Sequence, residues 1–298
     1  MNTVNNMEVK KAIIPIAGMA IRFLPLSKIV PKELWPVVDL PMIHYGLKEI
    51  KDAGIKEVIF VFNSGNKKVL EYLKTCPKTE KFLKERKKDE VLEELKNLEE
   101  MFKDVSFSWV LQKQPLGDGN AVLQAARLAA EEPVASIFAD DIFDAKVPAI
   151  SQLEKIFRTC QRPVIGLCRV PKEKISHYGI VGVEKISSRL YKIKKIIEKP
   201  DLSEAPSDLA IAGRYILTPE VFDYLKKAKP SKKGEIYLAE VINDQMLKDG
   251  KLIYGYELEG QWLGCGDKLR WLESTIYLSM KHPKYGPELR EYISKLKF

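Results

Sequence analysis

Cysteine and histidine are scarce in this chain of 298 residues, and the few that occur are scattered. The four cysteines, at positions 76, 160, 168 and 265, have no CxxC spacing, and none of the three histidines lies near a cysteine pair. This distribution gives no sign of a zinc site. Because the N-terminus also lacks an apolar export signal, the pattern favours reduced thiols in a cytoplasmic protein.

Long apolar runs are also missing, as are the common phosphate-binding and nucleophile motifs. No run approaches the roughly 20 apolar residues that cross a bilayer, so a membrane partner is not expected. Neither a Walker A loop nor a GxGxxG fingerprint is present, and no Ser–His or Cys–His arrangement is evident. The sequence therefore gives no indication of a P-loop enzyme or of covalent catalysis.

The net charge of +8 invites comparison with nucleic-acid-binding proteins. The lysines, however, are mostly interleaved with glutamates, as in residues 80–90. Such mixed charge is typical of solvated helix faces. Nucleic acid is therefore not expected as a partner.

Apolar strand-like runs alternate with helical stretches along the first half of the chain. This alternation predicts an α/β fold with a Rossmann-like, mostly parallel mixed sheet flanked by helices. We expect a single domain over residues 1–298, because no linker or repeat interrupts it. It would have a tail at 1–10, a charged helical insertion at 78–103 and a helical region at 267–298. In the last region Leu269, Leu272, Ile276 and Met280 have helical spacing, which favours a stripe facing the core.

The stretch from Lys11 to Pro36 carries the first sign of a functional site. An apolar strand ends at Ala17-Gly18, and Arg22 and Lys32 follow within the next turns. A small-residue turn after a strand, with cations beyond it, suits a phosphate-bearing ligand. A tight packing turn with solvated cations is the alternative.

Two later pairs of charged residues stand at predicted strand ends. Asp140-Asp141 could hold Mg²⁺ with phosphate oxygens and water, although turn or cap aspartates are the commoner explanation. Glu198-Lys199 could offer an acceptor for sugar hydroxyls beside a cation for phosphate, or could be an ordinary edge-strand charge pair. Their coincidence on strand ends favours a phosphate-transfer site.

The sequence resembles the bacterial-type UTP–glucose-1-phosphate uridylyltransferases over nearly its whole length. The matching segments, in chain order, are Ala17-Gly18, Arg22-Phe23-Leu24-Pro25, Pro31-Lys32-Glu33-Leu34, Pro36-Val37-Val38-Asp39, Gln112-Lys113, Pro115-Leu116-Gly117, Asp140-Asp141, Tyr178-Gly179-Ile180-Val181, Glu198-Lys199-Pro200, Gly213-Arg214-Tyr215, Gly234-Glu235-Ile236 and Gly266-Asp267-Lys268.

The resemblance implies that glucose 1-phosphate attacks the α-phosphorus of UTP to give UDP-glucose and pyrophosphate, with Mg²⁺ as cofactor. It implies catalytic roles for Arg22 and Lys32 at the triphosphate and a metal contact for Asp140. The implied nucleotide-binding residues are Ala17, Gly18, Glu33, Gln112 and Gly117. The implied substrate-binding residues are Asp141, Gly179, Glu198 and Lys199. Residues 176–260 would form the side that receives the sugar phosphate, and a homodimer or homotetramer is expected.

The sequence departs from the family pattern at three positions near the expected phosphates. The family loop reads Gly-x-Gly-Thr-Arg, whereas Ala20 and Ile21 stand at its third and fourth positions here. A family carboxylate that contacts the metal is Gly264 in this chain. A catalytically weak or inactive regulatory homologue that binds the same ligands is therefore the alternative function.

Overall fold

A computed structural model describes residues 7–63, 66–231 and 234–297 of the chain. Residues 1–6 of the expected tail lie outside the described residues. The strands are β1 Lys11–Ile16, β2 Pro36–Val37, β3 Leu40–Pro41, β4 Glu57–Phe62, β5 Ser106–Leu111, β6 Val134–Ile137, β7 Asp141–Asp144, β8 Val164–Arg169, β9 Gly179–Lys185, β10 Leu190–Glu198, β11 Leu209–Leu217, β12 Tyr254–Glu257 and β13 Gln261–Gly264.

The α-helices lie between and after these strands. They are α1 Met42–Asp52, α2 Val69–Tyr72, α3 Pro77–Glu85, α4 Asp89–Met101, α5 Asp118–Gln124, α6 Ala126–Ala129, α7 Ala149–Cys160, α8 Pro219–Lys227, α9 Leu238–Val241, α10 Lys268–Lys281 and α11 Gly286–Ser294. A π-helix, Ile242–Leu247, continues α9. Short 3-10 helices include Ile21–Phe23 and Lys32–Leu34.

The main sheet has the strand order β5-β4-β1-β6-β11-β8-β12-β10-β9. Strands β5, β4, β1 and β6 are mutually parallel, as are β8 and β12. The remaining neighbours pair in antiparallel fashion. The predicted mixed sheet flanked by helices is confirmed, and its parallel pairings are concentrated on the β5–β6 side. We call this side the parallel half and the β10–β9 side the antiparallel half.

Two apolar cores cover the two faces of the sheet because side chains alternate along each strand. On β1, Ile13 belongs to one core, whereas Ala12, Ile14 and Ile16 belong to the other. Helix α1 packs its apolar stripe, including Ile43 and Leu47, into the second core. The central strands are therefore buried on both faces, as the unbroken apolar runs of the sequence predict.

Several predicted elements differ from the observed ones in extent. The charged segment at 78–103 forms the pair α3 and α4 and adds no strand to the sheet. The residues 234–248 have a composition that suits a helix, yet helix α9 begins only at Leu238, after a left-handed Gly234. The short ladder of β7 with β13 was not predicted, and it brings Gly264 opposite Asp141.

The expectation that α10 presents its apolar stripe to the core is wrong. Leu269 is 66% exposed and Ile276 is 52% exposed, and Leu272 is also exposed. The helix instead contacts the rest of the structure through other residues, including the buried Ser274, whose hydroxyl donates to the Gly264 carbonyl at 3.0 Å. None of the helices in the described part of the chain has the length and apolar character that crossing a membrane requires.

Candidate active site

A cleft of about 310 Å³ opens where the parallel strands end. Ala17 and Gly18, which follow β1, line it together with Gln112, which follows β5. The Asn63 side chain, at the end of β4, donates to the carbonyls of Ala17 at 2.9 Å and Gly18 at 3.2 Å. Because the carboxyl ends of parallel strands share one sheet edge, residues far apart in sequence meet here.

The loop after Gly18 adopts the backbone conformation that its glycine-poor sequence disfavours. Ala20 has φ 48° and ψ 41°, in the left-handed region. An alanine there costs on the order of 1 kcal/mol relative to glycine. Arg22 lies in the next turn with an exposed side chain, and it is not among the described residues that line the cleft. Of the two cations that the sequence grouped together, Lys32 lines the cleft, and the role of Arg22 stays a prediction.

Lys32 lines the cleft and forms an ion pair with Asp140. The Lys32 ammonium lies 2.6 Å from Asp140 Oδ2, and both side chains are largely buried. Burial by itself would lower the pKa of Lys32, but Asp140 and the nearby acidic groups outweigh it and raise that pKa. Burial opposes ionisation of Asp140 as well, yet Lys32 holds the pKa of Asp140 below its ordinary value. Both groups are therefore charged at neutral pH.

Glu33 lies in the same 3-10 helix as Lys32 but faces inward. It is 1% exposed, and its Oε2 atom has no hydrogen-bond partner among the described residues. Burial raises the pKa of Glu33 to about 7, although the Lys32 charge acts in the opposite direction. An unsatisfied buried carboxyl oxygen is costly. Glu33 is thus a buried acid next to the centre of the site.

Asp141 is held by the protein itself. The Trp262 indole N–H donates to Asp141 Oδ1 at 2.7 Å. A Cβ at Gly213, which has φ 62°, would lie 2.1 Å from Asp141 Oδ2, so only glycine fits there. Burial and the adjacent Asp140 charge raise the pKa of Asp141 to about 6. Its carboxylate therefore helps to shape the turn, and the substrate-binding role that the resemblance implied for it stays a prediction.

A buried ion pair between Arg214 and Glu49 supports this turn, and the sequence analysis did not identify it. The Arg214 side chain is fully buried and donates to both carboxylate oxygens of Glu49. The same guanidinium donates to the carbonyls of Phe138 at 3.0 Å and of Asp141. A fully buried arginine must have all its charge and donors compensated. Its placement fixes the backbone on both sides of Asp140.

Gln112 lines the cleft, and Gly117 is one of the groups that hold its side chain. The Gln112 amide donates to the Gly117 carbonyl and to Asn120 Oδ1, both at 2.9 Å. Gly117 has φ 91°, and a Cβ there would lie 2.5 Å from the Ile236 carbonyl oxygen. The chain therefore needs glycine at this position. Gln112 is buried and held in one orientation at the edge of the cleft.

The residues predicted for the sugar phosphate lie in the antiparallel half. Gly179 pairs with Glu198 across β9 and β10, and a Cβ at Gly179 would lie 3.0 Å from Glu198 Oε2. Lys199 pairs with Glu198 at 2.8 Å and has a left-handed backbone with φ 48°. The Lys199 amide donates to the Tyr178 carbonyl at 3.0 Å. These three residues therefore lie together, apart from the cleft residues.

The site has one carboxylate suited to Mg²⁺ and no protein cage for it. In the described parts of the chain, no three His, Cys, Asp or Glu side chains are grouped as metal ligands. Mg²⁺ is commonly held by one or two carboxylates, with substrate phosphates and water completing its shell. Asp140 fits that arrangement, since it pairs with Lys32, which lines the cleft. Gly264 contributes no carboxylate.

Fold and site together define a nucleotide-transferring α/β protein. The chain belongs to the nucleotidyl transferase family, whose family model matches residues 11–275. Within that family its relatives are UTP–glucose-1-phosphate uridylyltransferases. Those of Staphylococcus haemolyticus and Bacillus subtilis are 36% and 35% identical to it, over 98% and 97% of this chain and 99% and 97% of theirs.

Solved structures of the same family share the fold over nearly the whole chain. A UDP-glucose pyrophosphorylase from Acinetobacter baumannii has a TM-score of 0.88 and 32% identity, over 97% of this chain and 100% of its own. A UDP-glucose pyrophosphorylase complexed with UDP-glucose has a TM-score of 0.81 and 33% identity, over 92% of this chain and 100% of its own. The resemblance stated from the sequence is confirmed.

Proposed function

We propose that the protein transfers a uridylyl group from UTP to glucose 1-phosphate. An oxygen of the sugar phosphate attacks the α-phosphorus of UTP, the bond from that phosphorus to the bridging oxygen breaks, and pyrophosphate leaves. The observation that carries the proposal is the Lys32–Asp140 pair at the edge of a ligand-sized cleft. Family members with the same fold include a UTP-bound UGPase.

The chemistry needs in-line placement and neutralisation of phosphate charge rather than a nucleophilic side chain. Lys32 Nζ would exchange its contact with Asp140 for the triphosphate and offset the charge that develops during transfer. Ala17, Gly18, Gln112 and Gly117 would hold the uracil between the two loops. Arg22 would reach the triphosphate only if its loop closes over the nucleotide, because its side chain is exposed in the structure.

We propose Mg²⁺ as the cofactor, held by Asp140 together with phosphate oxygens. When bound, the ion would polarise the phosphates and offset their charge. Glu33 would lie beside the nucleotide as a buried acid. Asp141 would act on substrate indirectly, through the backbone that it shapes beside Asp140. Gly179 and Glu198 would contact the sugar, and Lys199 would bind its phosphate.

We also propose a homo-oligomer, because α10 exposes an apolar stripe. Leu269, Leu272 and Ile276 are exposed, and Leu24 lies nearby, since Lys268 Nζ donates to its carbonyl at 2.6 Å. A second copy of the chain would cover this surface. Light scattering after size exclusion should show a dimer or tetramer, and Leu272→Glu should shift it toward monomer. A monomeric wild type would contradict the oligomer alone.

The direct test of the function is pyrophosphate release from UTP and glucose 1-phosphate in the presence of Mg²⁺. We expect turnover on the order of 1 s⁻¹ or faster. Calorimetric binding of UDP-glucose without any turnover would instead support the regulatory homologue. The same assay with dTTP measures the preference for uracil over thymine.

A further inference from the structure

Arg270, in the first turn of α10, has two of its three guanidinium nitrogens hydrogen-bonded to the protein. Its Nε donates to Asp267 Oδ2 at 2.6 Å, and its Nη1 donates to the Tyr178 hydroxyl at 2.7 Å. The guanidinium also lies over the Tyr178 ring, 5.2 Å from its centroid. Only 15% of the side chain is exposed. The guanidinium is therefore held in one orientation before any ligand binds.

The third donor group, Nη2, faces a small space beside Asp140. A Cβ built on Gly266 would lie 3.0 Å from Arg270 Nη2 and 3.5 Å from Asp140 Oδ2. Both groups therefore border the space that glycine leaves open at this position. Gly264 leaves room in the same way, because a Cβ there would lie 3.4 Å from Arg270 Nη1.

Nη2 has no hydrogen-bond acceptor among the residues that the structure describes. A mostly buried guanidinium with an unused donor is well suited to an anion, and its planar fork matches phosphate. A charged donor held ready by other side chains also loses little conformational entropy when it binds.

The position of Arg270 indicates which phosphate it meets. Tyr178, which holds Nη1, immediately precedes Gly179, and its carbonyl accepts from the Lys199 amide. Arg270 therefore lies between the residues proposed for the sugar phosphate and the carboxylate proposed for the metal. In the proposed transfer, the attacking phosphate would approach the metal carboxylate from the side of Gly179, Glu198 and Lys199.

We propose that Arg270 binds the phosphate group of the sugar phosphate through Nη2. In this role it complements Lys199 and brings the attacking oxygen toward the α-phosphorus. The proposal rests on the proposed function and adds a residue to its sugar-phosphate site. Asp267 and Tyr178 are then positioning residues, because they act by orienting Arg270.

The test compares Arg270→Gln and Arg270→Lys with a control, Arg158→Gln. Arg158 pairs with Glu154 on the surface of α7 and lies outside the site. For Arg270→Gln we expect the KM for glucose 1-phosphate to rise about tenfold or more, while the KM for UTP changes less than about threefold. Arg270→Lys should recover part of the loss, since it keeps the charge but not the fork. Equal losses for both substrates, or a wild-type KM, would overturn the proposal.

A second readout separates this proposal from the proposed function. Calorimetric affinity for glucose 1-phosphate, and for UDP-glucose in EDTA, should fall about tenfold in Arg270→Gln but not in Arg158→Gln. Absence of pyrophosphate release by the wild type would refute the function, whereas unchanged affinities in Arg270→Gln would refute the role of Arg270.

Gly266→Ala tests the same space without removing a charge. The added methyl group would lie against both Arg270 Nη2 and Asp140 Oδ2. We expect weaker glucose 1-phosphate binding, by about tenfold, in a protein whose thermal midpoint is unchanged. Wild-type affinity in this variant would show that no ligand enters the space and would contradict the proposal.

Discussion

The parallel and antiparallel halves of the sheet hold their charged residues in different environments, one largely buried and one more exposed to solvent. In the parallel half, Lys32 and Asp140 are largely buried and already paired, and Glu33 is buried beside them. In the antiparallel half, Glu198 and Lys199 pair in a more solvent-accessible setting. Buried charges keep their strength because water screens them little, whereas exposed pairs contribute little by themselves. The comparison indicates that the Lys32–Asp140 pair is preorganised, whereas the Glu198–Lys199 pair depends more on its ligand.

The largest effect is expected from Asp140→Ala. Without this carboxylate the proposed metal loses its protein contact, and Lys32 loses its partner. We expect kcat to fall about a thousandfold or more, with loss of the Mg²⁺ dependence. Pyrophosphate release as a function of Mg²⁺ concentration measures both kcat and its dependence on the metal. Unchanged rates would show that the metal is held elsewhere.

Matched lysine variants in the two halves should differ in the parameter that they change. Lys32→Met should lower kcat by about 10²-fold or more, because its charge acts on the phosphates as they react. Lys199→Met should mainly raise the KM for glucose 1-phosphate, by about tenfold. Steady-state kinetics with each substrate varied in turn compares them. Similar kinetic changes in both variants would remove the distinction between the halves.

The buried Glu33 should make stability depend on pH. Its folded-state pKa is about 7, above the ordinary value of 4.5, so the folded state binds more protons than the unfolded state between those values. The free energy of unfolding should therefore fall as pH rises from about 4.5 to 7, by up to about 3 kcal/mol from this group. Urea unfolding of wild type and of Glu33→Gln at several pH values isolates the contribution of Glu33. If the free energy of unfolding changes with pH in the same way in both proteins, Glu33 does not contribute.

The smallest effect is expected in the exposed loop of the parallel half. Ala20→Gly removes the strain of a left-handed alanine and should raise the free energy of unfolding by about 1 kcal/mol. Denaturant unfolding measures this change. A decrease in stability would show that the loop does not need the left-handed conformation in solution.

Much of the parallel half could be predicted from the sequence because its signals are local. Strand β4, Glu57–Phe62, is one of the apolar strand-like runs of the sequence, because an unbroken series of β-branched and aromatic residues is typical of a buried strand. Gly18 and Lys32 belong to the stretch that carried the first sign of a site, and both line the cleft; Gln112 was implied only by the family resemblance. The sequence shows Ala20 where the family loop has glycine, but only the structure shows that its backbone is left-handed.

The rest depended on contacts that no local pattern encodes. Arg214 is a polar residue in a strand, and only the tertiary fold reveals its partner, Glu49, 165 positions away. Arg270 reads as an ordinary charged residue of a helix until Gly266 and Asp140 are placed beside it. The stripe on α10 has the period of a core-facing helix, but period alone does not tell a core from an exposed face. Asn63 could have been noticed, because it directly follows a predicted strand.

A double-mutant cycle on Lys32 and Asp140 tests the central claim most directly, namely that this buried pair acts as one unit on the phosphates. The measurement is kcat/KM for uridylyl transfer in wild type, Lys32→Met, Asp140→Ala and the double variant. Residues that act as a unit are strongly non-additive, so the double variant should be no more than about tenfold slower than Asp140→Ala. Losses that multiply would contradict the account and show that the two residues act independently.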